Sequence, residues 1–181
     1  MIQPKRIGMF SAFRKFFASE PDPREARRPL WDAVVATARA PHWYAEGSVP
    51  DTLDGRFDVL AALVALVLLR LEADGDSGKG PSVLLTEVFI DDMEATLRQI
   101  GIGDYVVGKH LGKMVSALGG RLAAFRGVGL ESEAFAAAVR RNVFHETPPS
   151  EEAAVFVGDR LAEFRQSLDR QSSEALFRGE L

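Results

Sequence analysis

Asp58-Val59-Leu60-Ala61-Ala62-Leu63-Val64-Ala65-Leu66-Val67-Leu68-Leu69-Arg70 holds the longest apolar run of the sequence, clipped at each end by a charge. A membrane-spanning helix needs roughly 18 or more such residues, so the run from Val59 to Leu69 is too short to cross a bilayer. It reads as a helix buried in a core. Asp51 or Thr52 can cap its start, and it extends to about Asp74. Downstream, Gly75 to Pro81 reads as a flexible loop. Ser82 caps a helix to about Ile100, stopped by Gly101, and Asp104 caps another to about Arg126, with Gly119-Gly120 as a point for a kink. Two more run from Glu131 to His145 and from Ser150 to Leu168, the last with Glu151 and Glu152 in its first turn. Upstream, Leu30, Val34, Val35 and Ala38 mark one buried face of a helix from Pro29 to Ala40, and Pro41 stops it. His42 to Pro50 reads as an ordered loop. No alternating strand pattern and no repeat interrupts this series, so the expected fold is all-α. It comprises a single compact domain of six to seven helices over residues 21–181, behind the Pro-rich joint Glu20-Pro21-Asp22-Pro23.

With 181 residues, 46% apolar and 27% charged, the chain has the composition of one globular domain. The absence of cysteine excludes a disulfide framework, thiol catalysis and cysteine-ligated zinc. A formal net charge of −4 gives no global positive field, which argues against DNA as a partner. The charge is unevenly spread. Residues 1–17 carry Lys5, Arg6, Arg14 and Lys15 without an acid. Phe10, Phe13 and Phe17 fall on one helical stripe beside them. A short, cationic, Phe-rich amphipathic segment suits an anionic membrane surface, so residues 1–20 form a separate unit and these residues are the expected membrane contacts. The same phenylalanines could instead dock on the domain.

Several chemistries fail on spacing. Gly78-Lys79 lacks both the earlier glycine and the following Ser or Thr of a phosphate loop. Gly101-Ile102-Gly103-Asp104 is a helix stop and turn, not a dinucleotide fingerprint. His42, His110 and His145 lie far apart with no i,i+4 partner, so no metal or other cofactor is expected. Glu87, Asp91, Glu94 and Arg98 share one helix face, opposite a stripe of Leu85, Phe89, Met93, Leu97 and Ile100. The next helix carries Val107, Leu111, Met114, Leu118, Leu122 and Phe125 on one side and Lys109 and Lys113 on the other. The acidic and basic faces could attract one another or bind a partner.

The run Val49-Pro50-Asp51-Thr52-Leu53-Asp54-Gly55-Arg56-Phe57-Asp58, preceded by Trp43-Tyr44, resembles the central motif of the ubiquinol–cytochrome c chaperone family. Phe89-Ile90-Asp91-Asp92-Met93-Glu94, Leu97 to Asp104, Val107-Gly108-Lys109 and Gly120-Arg121-Leu122 follow in the order of that family. The resemblance spans residues 31 to 126. It departs at Gly119, where an aromatic usually precedes the Gly-Arg pair.

The resemblance implies a helical assembly factor and not an enzyme. Members assist the biogenesis of ubiquinol–cytochrome c reductase, chiefly by handling newly made cytochrome b; in mitochondria they act with a small partner protein near the ribosome. The chain looks like a compact bacterial member, cytoplasmic and peripheral on the inner face of the membrane, or in the mitochondrial matrix if eukaryotic. The expected client and partner contacts are Trp43, Tyr44, Asp51, Asp54, Arg56, Asp91, Asp92, Lys109 and Arg121. Among them the His42-Trp43-Tyr44 loop is the first candidate for an exposed aromatic contact; the alternative is a loop clamped onto the core. Asp51 and Asp54 could equally cap the helix they begin. Two other readings stay open: a metal-dependent enzyme using the acidic helix face, for which metal-dependent thermal stabilisation discriminates, and a general helical adaptor.

Overall fold

The computed structural model describes residues 22–181. A 3₁₀ turn, Pro23–Arg27, leads into α1 (Arg28–Ala38). There follow α2 (His42–Ala45), α3 (Leu53–Glu72), α4 (Asp76–Gln99) and α5 (Asp104–Phe125). The chain ends with α6 (Glu133–Phe144), α7 (Glu151–Arg170) and α8 (Ser173–Phe177). Among the described residues there is no strand. The all-α expectation holds. The membrane-directed residues Lys5, Arg6, Phe10, Phe13, Arg14 and Phe17 lie outside the described residues.

The apolar run is the axle of the domain. Every residue from Ala61 to Leu69 is buried, because α1, α4, α5, α6 and α7 all pack against α3. A helix apolar on every side is stable only when surrounded, and the five neighbours supply that shell. The other long helices are amphipathic, as their stripes require. Leu85, Phe89, Met93 and Leu97 turn inward from α4; Val107, Leu118 and Phe125 do so from α5. Trp31 and Phe89 meet edge to face, with ring centroids 6.0 Å apart, a favoured aromatic geometry.

Helix starts follow the capping residues. The Thr52 hydroxyl accepts from the Gly55 N–H at 3.2 Å, and the Ser150 hydroxyl from the Ala153 N–H at 3.1 Å. Ser132 and Ser172 cap α6 and α8 in the same way. Arg70 ties the far end of α3 to the end of α7. Its Nε donates to the Leu168 carbonyl at 3.1 Å, its Nη2 to the Gln171 carbonyl at 2.9 Å and its Nη1 to Asp74 at 2.7 Å. At the start of the described chain, the Arg24 guanidinium holds the Asp22 carboxyl down to about 2.

One expectation is corrected. The stretch Gly75 to Pro81 is not a loop: α4 begins at Asp76 and contains Pro81. The reversal is confined to Gly75, at φ 64°. Gly78 then comes so close to α3 that a Cβ there would lie 1.8 Å from the Leu71 carbonyl oxygen. The glycines that look like flexibility in the sequence are there in part for close approach. The helix α5 runs through Gly119-Gly120 without interruption.

Gly78→Ala should therefore cost about 1–3 kcal/mol, the range for forcing atoms into a filled space. Gly80→Ala, where a Cβ meets nothing within 4 Å, should be neutral or stabilise by up to about 1 kcal/mol through helix propensity. Urea unfolding of both variants checks the contrast.

Candidate functional site

The family-like motif forms the loop and first turns of α3. Gly55 is required there, since a Cβ would sit 2.1 Å from the Pro50 carbonyl oxygen. The turn that follows places two apolar side chains, Leu53 and Phe57, on the outward side of α3. They separate two hollows that share them and Met114 of α5.

The larger hollow, about 460 Å³, lies between the start of α3, the end of α4 and α5. Leu97, Ile100, Ile102 and Ala117 continue its apolar lining, and Asp54, His110, Lys113 and His145 bring polar groups to it. The smaller, about 270 Å³, opens toward α1 and α2 and includes Tyr44, Arg56, Asp92 and Met93. Leu53 is 48% exposed and Ile100 50%. Together the hollows make a groove with an apolar floor and charged rims.

Behind the larger hollow lies a buried ion pair, Asp58 with Arg121, edged by the exposed side chain of His145. The Arg121 Nη2 donates to Asp58 Oδ1 and to the Asn142 carbonyl, both at 2.5 Å, while its Nη1 donates to the Ala117 carbonyl at 3.1 Å. His145 Nε2 lies 2.8 Å from Asp58 Oδ2, and the Arg121 guanidinium stands 5.6 Å from the Phe57 ring centroid. Burial pushes the Asp58 carboxyl up, opposed by the hydrogen bond from His145 and the charge of Arg121. Burial likewise pushes Arg121 down, opposed by Asp58. The cluster joins α3, α5 and the end of α6, where His145 takes a left-handed conformation, φ 50°.

The expected contact residues divide sharply. Tyr44, Asp54, Arg56, Asp92 and Arg121 line the groove. Asp51 pairs with Arg56 at 2.6 Å on the rim, and that hydrogen bond holds its carboxyl below the usual carboxylate range. Asp91 instead pairs with Arg24, and Lys109 is exposed and lines neither hollow. The acidic face of α4 does not meet the basic face of α5: among the described residues its ion pairs run to Arg24 and Arg98.

Two expectations fail on burial. The segment from His42 is helical, and Trp43 is 1% exposed. Its Nε1 donates to the Thr37 carbonyl at 2.8 Å; the Tyr44 hydroxyl donates to the Ala38 carbonyl at 2.7 Å. The last carbonyls of a helix lack intrahelical partners, and the aromatic pair supplies donors to those of α1. Arg121 is 4% exposed, an interior charge rather than a surface contact. Sequence reading missed Leu53, Ile100, Ile102, His110, Met114 and His145 as groove residues. Ile100 continues the spacing of the Leu85, Phe89, Met93 and Leu97 stripe but leaves it, because α4 ends at Gln99 and Gly101 turns the chain at φ 89°.

No helix among the described residues is long and apolar enough to cross a membrane. None of their His, Asp and Glu side chains form a group of three or more placed to hold a metal ion. No curated protein matches the chain. Its fold matches the crystal structure of the Cbp3 homolog from Brucella abortus, with 28% identity, a TM-score of 0.72 and coverage of 96% of this chain and 95% of that one. Residues 45–181 match the family described as ubiquinol-cytochrome C chaperone, so the likeness continues past residue 126 through α6, α7 and α8. With the motif of α3, the groove beside it and most of the chain in agreement, this protein belongs to the ubiquinol-cytochrome c chaperone family.

Proposed function

We propose that the protein is a non-catalytic assembly chaperone for ubiquinol–cytochrome c reductase that holds newly made cytochrome b in the groove beside Leu53 and Phe57. The observation that carries this reading is the groove itself. Leu53 and Ile100 are half exposed within an apolar lining rimmed by Asp54, Arg56 and Lys113. Exposed apolar surface with a charged rim marks contact sites in soluble domains. A membrane protein before insertion presents the complementary apolar surface. The acid-free segment 1–17 supports work at the inner face of an anionic membrane, where Lys and Arg are attracted and phenylalanine inserts. A ribosome contact and a small partner protein belong to the same reading through family membership.

The test is capture of cytochrome b from native membranes by the protein and by Leu53→Asp with Ile100→Asp. Both positions are solvent-accessible, so stability should stay within about 0.5 kcal/mol per site. Cytochrome b should be enriched by the wild type, and the enrichment and the accumulation of the reductase should fall sharply with the variant. Equal enrichment by both would remove the groove from client binding.

A further inference from the structure

Exposed apolar side chains gather at the corner where α4 gives way to α5. Tyr105 is 100% exposed, Ile100 50% and Val106 39%, and Ile102 is half-buried beside them. Along α5, Tyr105, Lys109 and Lys113 recur every four residues, and Val106 stands three before Lys109. At that spacing all four share one outward face. Both lysines are exposed, and neither has an ion-pair partner among the described residues.

Acids are missing from this surface. From Tyr105 to Leu130 the sequence has no Asp or Glu, although the whole chain carries a net charge of −4. Arg121 and Arg126 in that stretch are engaged by Asp58 and Glu72, so Lys109 and Lys113 supply its free positive charge. Asp104, at the head of α5, is paired with Arg98, and Asp54 lies in the larger hollow. A solvated face usually mixes charges of both signs. This one sets unpaired lysines beside exposed tyrosine, isoleucine and valine, a combination that fits the boundary of an anionic bilayer. There a lysine stem lies along apolar surface with its head among anionic headgroups, and tyrosine sits at headgroup level. A nucleic acid would satisfy the lysines but leave Ile100 and Val106 in water.

We infer that the α4–α5 corner is a second membrane contact, in which Tyr105 and Val106 enter the headgroup boundary of an anionic bilayer while Lys109 and Lys113 pair with its headgroups. The inference rests on the membrane reading proposed above and deepens it by orienting the folded domain. Ile100, Ile102 and Lys113 also line the larger hollow. A domain seated on this corner therefore brings the edge of that hollow against the bilayer, where an apolar client segment enters lipid. The segment 1–17 would tether the domain; the corner decides which side of it faces the membrane.

The chain has no cysteine, so single probes can be placed in the full-length protein. Tyr105→Cys carries a nitrobenzoxadiazole label at the corner. Val155→Cys, at a 52% exposed position of α7, carries the same label on a helix that packs against α3 and α6. With phosphatidylglycerol vesicles the label at 105 should brighten about threefold as it leaves water, and spin-labelled lipid should quench it. The label at 155 should stay unchanged, and phosphatidylcholine vesicles should move neither. Tyr105→Glu places an acid in the first turn of α5, where a helix accepts it, and should lower vesicle affinity about tenfold. An unchanged thermal midpoint reports that this variant folds. A label at 105 that stays in water while the protein floats with the vesicles would overturn the corner and leave the membrane contact to residues 1–17. Failure of the wild type to float at all would overturn both membrane contacts, while capture of cytochrome b from detergent extract reads the groove separately. A response to polyuridylate and none to vesicles would overturn the inference in favour of an RNA partner.

Discussion

Arg121→Leu should destabilise the protein by about 3–5 kcal/mol, the range observed when one partner of a buried ion pair is removed. The loss comes from what stays behind. Asp58, 5% exposed, would retain only His145, and the Asn142 and Ala117 carbonyls would each lose a donor. Replacing both charges, Asp58→Leu with Arg121→Leu, should recover a large part of the loss, because an apolar pair of similar volume leaves no uncompensated charge. Urea unfolding of the two variants reads this directly. A double variant as unstable as the single one would mean that the lost carbonyl bonds dominate.

Acid should distinguish the same variants. Burial already pushes Asp58 up, and the Arg121 charge is one of the groups opposing that. Without Arg121 the folded carboxyl rises further above its unfolded value near 3.9. A raised carboxyl favours the protonated form in the fold, so the penalty is absent below about pH 4 and grows with pH until the folded value is passed. Arg121→Leu should thus approach the double variant in stability as pH falls toward 4 and separate from it by pH 8. Parallel pH profiles would show that the charge of Asp58 is not what the fold rejects.

The axle of the fold was legible because its signal is one-dimensional. Eleven apolar residues bounded by Asp58 and Arg70 can only be surrounded, and serine caps such as Ser150 announce themselves by position. Gly75 to Pro81 was misread because glycine carries two meanings. It loosens a chain in isolation, yet it also permits the 1.8 Å approach that forbids a Cβ at Gly78, and only the neighbouring helix distinguishes them. The groove was half legible. Its charged rim, Asp54, Arg56 and Asp92, lies in the recognisable motifs, but its apolar floor joins residues from α3, α4 and α5 that no local pattern connects. Asp58 and Arg121 are 63 residues apart, and nothing in either segment marks the other as its partner.

Trp43→Ala should cost about 3–5 kcal/mol, as for other buried large aromatics cut to alanine. In a domain of this size that is a fall in midpoint of roughly 6–20 °C. Two effects add. The ring is 1% exposed and packs within the main core, so its removal leaves a cavity; and the Thr37 carbonyl at the end of α1 loses its indole donor. Trp43→Phe separates them, keeping most of the volume while removing only the indole donor from a carbonyl that still accepts from the Ala40 N–H at 3.1 Å, and should cost about 0.5–1.5 kcal/mol for the lost hydrogen bond. Tyr44→Phe makes the matching test at the Ala38 carbonyl with a smaller loss, since Tyr44 is only half-buried. If Trp43 served a client contact, Trp43→Ala would leave urea unfolding unchanged while cytochrome b capture fell. The hydrogen bond to Thr37 and the buried ring demand the opposite order: stability falls first, and capture at low temperature, where the variant remains folded, persists.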